Sequence, residues 1–417
     1  MPELLNIEKG PNEIKGQINI SGSKSESNRL LILKHLYFPN LKIQGLSTSN
    51  DTHLMQKALE SNGTEIDVED AGTSMRFLLA YFSLSTTKPI TLKGSPRMHK
   101  RPIGILVNEL RSLGAKIEYL EKENYPPLRI YPSPVNGNTI TIESGISSQY
   151  ISALMMIAGK LPKGIRINLK GKTVSKPYIE LTGNLMQKLG FEVVLNDEFI
   201  KIEGQSNFQE KSIQVEPDWS SASYWYLMVC LSTKASLKLR GFKENSFQGD
   251  KSLVDLFLKL GVRSIFHENY LLLEKVEMDL PKNLNFDLID SPDLAQSIIV
   301  AMAALGILGE ISGLQTLKIK ETDRLQALKV ELEKTGAQIT IGKDFLKIER
   351  GISTLENVKF ETWSDHRMAM SLAALSMISP ISIQNPEVVN KSYPNFWEDM
   401  KLLGFELSNH LPEDLEL

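Results

Sequence analysis

Cysteine is nearly absent from this chain of 417 residues: Cys230 is the only one, set in the apolar run 224–231. A single thiol excludes an intrachain disulfide and any metal site built from several cysteines, and its apolar surroundings read as core filler. An excess of one charge is missing too. Lys and Arg total 47 against 50 Asp and Glu, a formal net charge of -3, whereas a dedicated nucleic-acid binder is normally strongly basic. Nucleic acid is therefore not an expected partner, although a local basic cleft stays open. No window approaches the roughly 18 uninterrupted apolar residues of a membrane span, and the longest apolar helix candidate, 298–308, is too short for one. Residues 1–12 carry no signal-peptide pattern, so a cytoplasmic protein without a membrane partner is expected. The phosphate-loop pattern of nucleoside-triphosphate enzymes and the nucleophile elbow of hydrolases are both missing.

What the chain does have is a loose repeat. One class of segment starts with small or polar residues and runs into an apolar helix. The starts are Ser23-Lys24-Ser25, Ala71-Gly72-Thr73, Ser147-Ser148-Gln149, Asp218-Trp219-Ser220, Ser291-Pro292-Asp293 and Ser364-Asp365-His366. Ser, Thr and Asp suit N-caps, and helices apolar nearly all round are buried. A second class is amphipathic and stops at a glycine, which reads as a C-cap. Those glycines fall at 63, 114, 190, 261, 336 and 404, intervals of 51, 76, 71, 75 and 68. Intervals beyond about 50 residues are modules of a domain rather than solenoid repeats. Six modules suggest two domains of three, with helices inside and sheets outside. The short first interval leaves room for only one strand, 65–68, so about two strands are missing there. Chain crossings are expected near Gly10–Gly16 and at 216–218, which puts 16–217 in an N-terminal domain and 1–15 with 218–417 in a C-terminal one.

The polar residues at the module starts carry the chemistry. Gly22-Ser23-Lys24-Ser25-Glu26-Ser27-Asn28-Arg29 places two cations and several hydroxyls at a helix start, where exposed N–H groups favour anions. Thr73, Arg76, Arg97 and Arg101 follow in the second module, and Ser147, Ser148, Gln149, Ser175, Lys176 and Tyr178 in the third. The later modules add Asp293, Lys320, Glu321, Arg324, Asp365, His366, Arg367 and Lys391. Serines and arginines together hold phosphate through charge-assisted bonds. Taken singly, Ser25 also fits an N-cap, Arg101-Pro102 a turn, and Lys391 a solvated surface residue. Lys320 and Arg324 lie four apart on a helical start and share a side, with Glu321 beside them. A carboxylate among cations stays ionised, yet exchanges protons once a substrate neutralises those cations. Residues alone point to a two-domain enzyme for small, multiply anionic substrates and do not name the reaction.

In order and at these distances, the motifs resemble the 5-enolpyruvylshikimate-3-phosphate synthases from about residue 10 to about residue 400. The pieces are 22–29, 71–76, 96–102, 147–149, 175–178, 320–324, 365–370 and Lys391 before Tyr393-Pro394. The resemblance implies a two-domain inside-out α/β barrel, each domain three βαβαββ modules, with the active site in the interdomain cleft. It implies transfer of the enolpyruvyl group of phosphoenolpyruvate to shikimate 3-phosphate without organic cofactor or metal, by a monomer. Ser25, Arg29, Ser147, Ser148, Ser175, Tyr178, Asp293 and Lys320 would hold shikimate 3-phosphate. Lys24, Gly72, Arg101, Gln149, Arg324, His366, Arg367 and Lys391 would hold phosphoenolpyruvate. Asp293, Glu321 and Lys24 would be catalytic, with Glu321 protonating the methylene carbon.

Three positions depart from the family's usual residues: Asp70 for asparagine, Phe77 for proline and Thr316 for asparagine. Two other readings compete. The related transferase that acts on UDP-N-acetylglucosamine commonly has a loop cysteine, for which Cys230 in its apolar run is no substitute. An inactive anion-binding scaffold would have no need of both Asp293 and Glu321.

Overall fold

The computed structural model describes residues 3–145, 147–204 and 212–410. Two compact units partition them. One holds 3–21, 217–246 and 250–410; the other holds 22–216 and 247–249. Residues 1–2 and 411–417 of the expected C-terminal domain lie outside the described residues.

The first crossing falls at Ser21–Gly22, later than the expected one after residue 15. The strand Glu13–Ile18 explains the shift. It pairs in parallel with Lys234–Arg240, and Ile14 and Ile18 are buried in the same core as Leu237 and Leu239. The return of 247–249 to the other unit was not anticipated.

Among the described residues, five of the six sheets share one plan. In one of them, Glu65–Asp67 runs parallel to Ile90–Lys93, which pairs antiparallel with Leu128–Tyr131, and that strand with Lys116–Tyr119. The helix Gly72–Ser85 joins the parallel pair and Gly104–Ser112 leads into the hairpin, completing βαβαββ. The sixth sheet has only the parallel pair Lys42–Gln44 and Ser212–Gln214. Only residues 61–64 separate the helix Asn50–Glu60 from the next strand, too few for a hairpin, so the first module is two strands short.

The same shortening changes a helix end. Gly114, Gly190, Gly261, Gly336 and Gly404 all have positive φ, the left-handed C-cap that turns a chain back into a hairpin. Gly63 is not among them. Its helix stops at Ser61 with extended backbone, φ -73° and ψ 133°. With no hairpin to enter, no reversal is needed, and the expected sixth glycine cap is not formed.

Each unit is a barrel turned inside out. In one, the apolar helices Lys24–Tyr37, Gly72–Ser85 and Ser148–Ile157 fill the core; in the other, Trp219–Leu231, Ala295–Ala304 and His366–Ala373 do. The strands cover them with one face inward, as Thr139–Glu143 shows by burying only Ile140 and Ile142. Among the described residues no helix is long and apolar enough to cross a membrane.

Cys230 is core, as expected. Its Sγ donates to the Leu260 carbonyl at 3.3 Å, and burial pushes the thiol up to about 12. The thiolate is the reactive form, so a colorimetric thiol reagent should find no thiol in native protein and one per chain after unfolding. A full native titration would contradict this packing.

Candidate active site

Ten of the expected site residues fall in the unit built mainly from 22–216 and seven in the other. In the first unit, Ser23 caps the helix Lys24–Tyr37 by accepting from Glu26 N at 3.4 Å. Ser25 is therefore not the cap. Lys24 Nζ meets Asp51 Oδ2 at 3.0 Å. Arg29 lies deeper, 2% exposed. Its Nε donates to Thr182 Oγ1 (2.7 Å), Nη1 to the Ser25 carbonyl (2.8 Å), and Nη2 to Ser152 Oγ (3.1 Å) and the Tyr178 carbonyl (3.2 Å). Burial lowers the guanidinium to about 10, still charged at neutral pH. Its carbon lies 5.2 Å from the centre of the Phe77 ring, so the aromatic residue at this unusual position packs on the arginine.

These bonds tie helix starts together. Ser74 Oγ donates to the Asp51 carbonyl at 3.2 Å, and Gln149 Nε2 to Thr73 Oγ1 at 3.1 Å. Gly72 is a close-approach position: a Cβ there would lie 2.5 Å from Arg101 Nη1. Arg76 Nη1 donates to the Gly72 carbonyl at 2.8 Å. Ser147 and Ser175 occupy N-cap positions of Ser148–Ile157 and Lys176–Lys188, but neither side chain makes a cap hydrogen bond. Ser175 also adopts φ 53°, ψ 41°, a left-handed backbone that costs roughly 1–3 kcal/mol in a non-glycine residue and concentrates at functional sites. Ser148 is buried and Tyr178 half-buried beside them. Two helix starts thus keep N–H groups and hydroxyls that capping elsewhere consumes.

The second unit gathers charge more densely. Arg324 opens the helix Arg324–Glu333, which Asp323 caps. Its guanidinium reaches three carboxylates: Asp365 Oδ2 at 2.7 Å, Glu321 Oε2 at 3.0 Å and Asp293 Oδ1 at 3.1 Å. Arg367 Nη2 lies 2.9 Å from Asp293 Oδ2 and Lys320 Nζ 3.8 Å from Oδ1. Lys391 Nζ is 3.9 Å from Glu321 Oε1. Burial alone would raise the Asp293 carboxyl, but Arg367, Lys320 and Arg324 outweigh it and hold the group well below the usual carboxylate range. Asp365 also caps the helix His366–Ala373 by accepting from Arg367 N at 2.8 Å. The buried His366 Nδ1 is 3.9 Å from Asp365 Oδ1.

Two carboxylates escaped the sequence reading. Asp51 was hidden because its partner Lys24 is 27 positions away. Asp250 is buried, accepts from the Ser220 hydroxyl, and is pushed up to about 7 by burial and then by the charge of Asp293. Its Gln248-Gly249-Asp250 context carries no charge pattern to flag it. Of the unusual residues, Asp70 accepts from the Ser95 hydroxyl; nothing in the structure explains Thr316.

Two inside-out α/β barrels with arginines, lysines and carboxylates gathered around their helix starts place the chain in the class of two-domain α/β enzymes. The profile described as EPSP synthase (3-phosphoshikimate 1-carboxyvinyltransferase) matches residues 8–71 and 56–400. The chain belongs to that family, and it is an enzyme of the transferase type that the family comprises. A 3-phosphoshikimate 1-carboxyvinyltransferase of Bacteroides fragilis (strain YCH46) is 42% identical over 399 residues, covering 95% of this chain and 97% of the relative. One from Vibrio cholerae serotype O1 (strain M66-2) is 36% identical over 422 residues, covering 94% and 97%. The solved structure of EPSP synthase from Acinetobacter baumannii shares the fold with a TM-score of 0.74 at 20% identity, over 97% of this chain and all of that one.

Proposed function

We propose that the protein transfers the enolpyruvyl group of phosphoenolpyruvate to the 5-hydroxyl of shikimate 3-phosphate and releases phosphate. The observation that carries this reading is one arginine, Arg324, in contact with both Asp293 and Glu321 inside a ring of cations. Two acids and several cations are what a proton-coupled addition between two anions requires. In this reading the expected ligands divide between the two substrates. Ser25, Ser147, Ser148, Ser175 and Lys320 take the phosphate and carboxylate of shikimate 3-phosphate. Tyr178 lies against its ring, and Arg29, expected as a further ligand, directs its donors to Thr182, Ser152 and the Ser25 and Tyr178 carbonyls and so holds the surrounding turns. Lys24, Arg101, Gln149, Arg324, Arg367 and Lys391 take phosphoenolpyruvate, with Gly72 and His366 shaping its pocket. No metal or organic cofactor has a part, and the acting species is a cytoplasmic monomer.

The chemistry then runs in two steps. As the substrate anions draw Arg367, Arg324 and Lys320 onto themselves, the Asp293 carboxylate loses the contacts that make it a weak base and accepts the 5-hydroxyl proton. The hydroxyl oxygen bonds to the enol carbon while Glu321 delivers a proton to the methylene, giving a tetrahedral ketal phosphate. The carbon–oxygen bond to phosphate then breaks, the phosphate leaves with the proton that Asp293 had taken while Lys24 and the arginines hold its charge, and Glu321, a carboxylate since the first step, takes the methyl proton as the double bond is restored. Fixed cations stabilise such charge better than water does, and they bring two mutually repelling anions together.

Gly72→Ala tests the pocket. The added methyl must displace the Arg101 guanidinium, so KM for phosphoenolpyruvate should rise about tenfold or more, with stability changed by under about 1 kcal/mol. An unchanged KM would show that Arg101 does not bind this substrate. The reading itself is tested by phosphate release from phosphoenolpyruvate, with shikimate 3-phosphate and separately with UDP-N-acetylglucosamine. Release only with the first, with the product seen by mass, is expected. Release only with the second, or silence with both, refutes it.

A further inference from the structure

Glu26 has no role in the chemistry above, yet it sits buried, 4% exposed, inside the motif that supplies Lys24, Ser25 and Arg29. Ser23 and Glu26 form the S-x-x-E arrangement of a capping box. In such a box the serine oxygen accepts the glutamate N–H, and the glutamate carboxylate accepts the serine N–H. Here only the first half is made, with Ser23 Oγ accepting from Glu26 N at 3.4 Å. A third residue completes the second half. Ser23 N donates to the Glu216 carbonyl at 2.7 Å, and Glu216 N donates to Glu26 Oε2 at 3.0 Å. Glu26 Oε1 accepts from Gln248 Nε2 at 3.4 Å.

The partners are not arbitrary pieces of chain. Glu216 is the last residue before the chain leaves this unit at Pro217, and Gln248 lies in the three-residue return 247–249. One carboxyl therefore fastens two connectors to the first turn of the helix that carries the anion ligands. We propose that Glu26 is a positioning residue for the reaction: by clasping Glu216 to this turn, it holds Lys24 and Ser25 in register for anionic substrates. The inference rests on the functional reading given above.

The clasp is sensitive to protons. Glu216 and Gln248 on the connectors, Lys188 at the end of the helix Lys176–Lys188, and Arg29 on Glu26's own helix are the groups facing it. Burial pushes the Glu26 carboxyl up to about 7, opposed by the Glu216 N–H; the Glu216 charge raises it further, and Lys188 and Gln248 lower it. A folded value above the ordinary one of 4.5 means that its stabilisation is full below that ordinary value and is lost as pH rises through about 7. Above that range Glu26 is an anion two residues from Lys24, and it opposes the binding of other anions.

Full-length wild type, E26Q and E26V separate these effects, because glutamine keeps an acceptor without charge and valine keeps neither. Each is read by steady-state phosphate release at about pH 6 and about pH 8.5, and by amide hydrogen exchange at Glu216. E26V should raise KM for both substrates about tenfold, leave kcat within about threefold, and speed Glu216 exchange about tenfold. E26Q should match wild type within about twofold at the lower pH and show a KM about threefold below it at the higher. Equal KM and exchange in all three proteins overturns the proposal, and so does E26Q as impaired as E26V at both pH values. A wild type that releases no phosphate, with the exchange pattern intact, refutes the proposed reaction and leaves the clasp. Normal turnover with exchange and KM unmoved by E26V refutes the clasp and leaves the reaction.

Discussion

Glu321→Gln should lower turnover by about a hundredfold or more while shikimate 3-phosphate and phosphoenolpyruvate bind with near-normal affinity. The amide has almost the shape of the carboxyl, and its oxygen can still accept from Arg324 Nη2, which lies 3.0 Å from Glu321 Oε2. The helix start at Arg324 keeps its place, and so do the cations around it. What disappears, on the proposed mechanism, is the proton that Glu321 would carry to the methylene carbon, and an amide offers no replacement at neutral pH. The loss should therefore fall on kcat with little change in substrate dissociation constants, the pattern of an interaction made in the transition state. Titration calorimetry with each substrate and single-turnover phosphate release measure the two quantities separately. Unchanged turnover would remove Glu321 as the acid. Lost binding with unchanged single-turnover rate would make it a substrate ligand instead.

Asp365→Ala should destabilise the protein by about 3 kcal/mol, because it takes from a buried arginine the shortest of its three carboxylate contacts and leaves Nε without a partner carboxylate. The Asp365 side chain is fully buried and the Arg324 side chain 2% exposed, with Nε to Oδ2 at 2.7 Å. Burial opposes the charge on Arg324, and Asp365, Glu321 and Asp293 more than restore it, so the guanidinium is held above its ordinary value. Removing the first of these carboxylates leaves an arginine that cannot shed its proton and cannot reach water. The substitution also deletes the cap on Arg367 N, typically worth about 1 kcal/mol. Asp365→Asn keeps an oxygen for that cap and for one donor of Arg324, and should lose about half as much. Urea midpoints of the two variants and wild type give the comparison. An alanine variant within about 1 kcal/mol of wild type would mean that Arg324 finds its support from Asp293 and Glu321 alone.

The fold was legible to the extent that it rests on local rules. Apolar helices without a polar face had to be buried, amphipathic ones had to lie between core and sheet, and glycines marked five of the helix ends. The short interval before Ala71 announced the two missing strands, since 61–64 cannot hold a hairpin. The boundary after residue 15 went wrong for a non-local reason. Glu13–Ile18 belongs with Lys234–Arg240, and a parallel partner more than two hundred positions away leaves no mark on the strand's own sequence. Gly63 misled because a glycine's position in the chain does not report its φ.

The site divides along the same line. Residue identity and order by themselves singled out Lys24, Arg101, Arg324, Arg367 and Lys391 as candidate anion ligands and Asp293 and Glu321 as candidate acids, because cations grouped with hydroxyls and carboxylates suit anionic substrates whatever fold carries them. Only the tertiary structure decided how each charge is spent. Arg29 turned inward to Thr182, Ser152 and the Tyr178 carbonyl. Asp51 came to Lys24, Asp365 to Arg324, and Glu216 to Glu26. Each of these pairs joins residues far apart in the chain, and each depends on burial, which makes an unpartnered charge or N–H costly. That cost is set by the three-dimensional surroundings, and no stretch of sequence contains it.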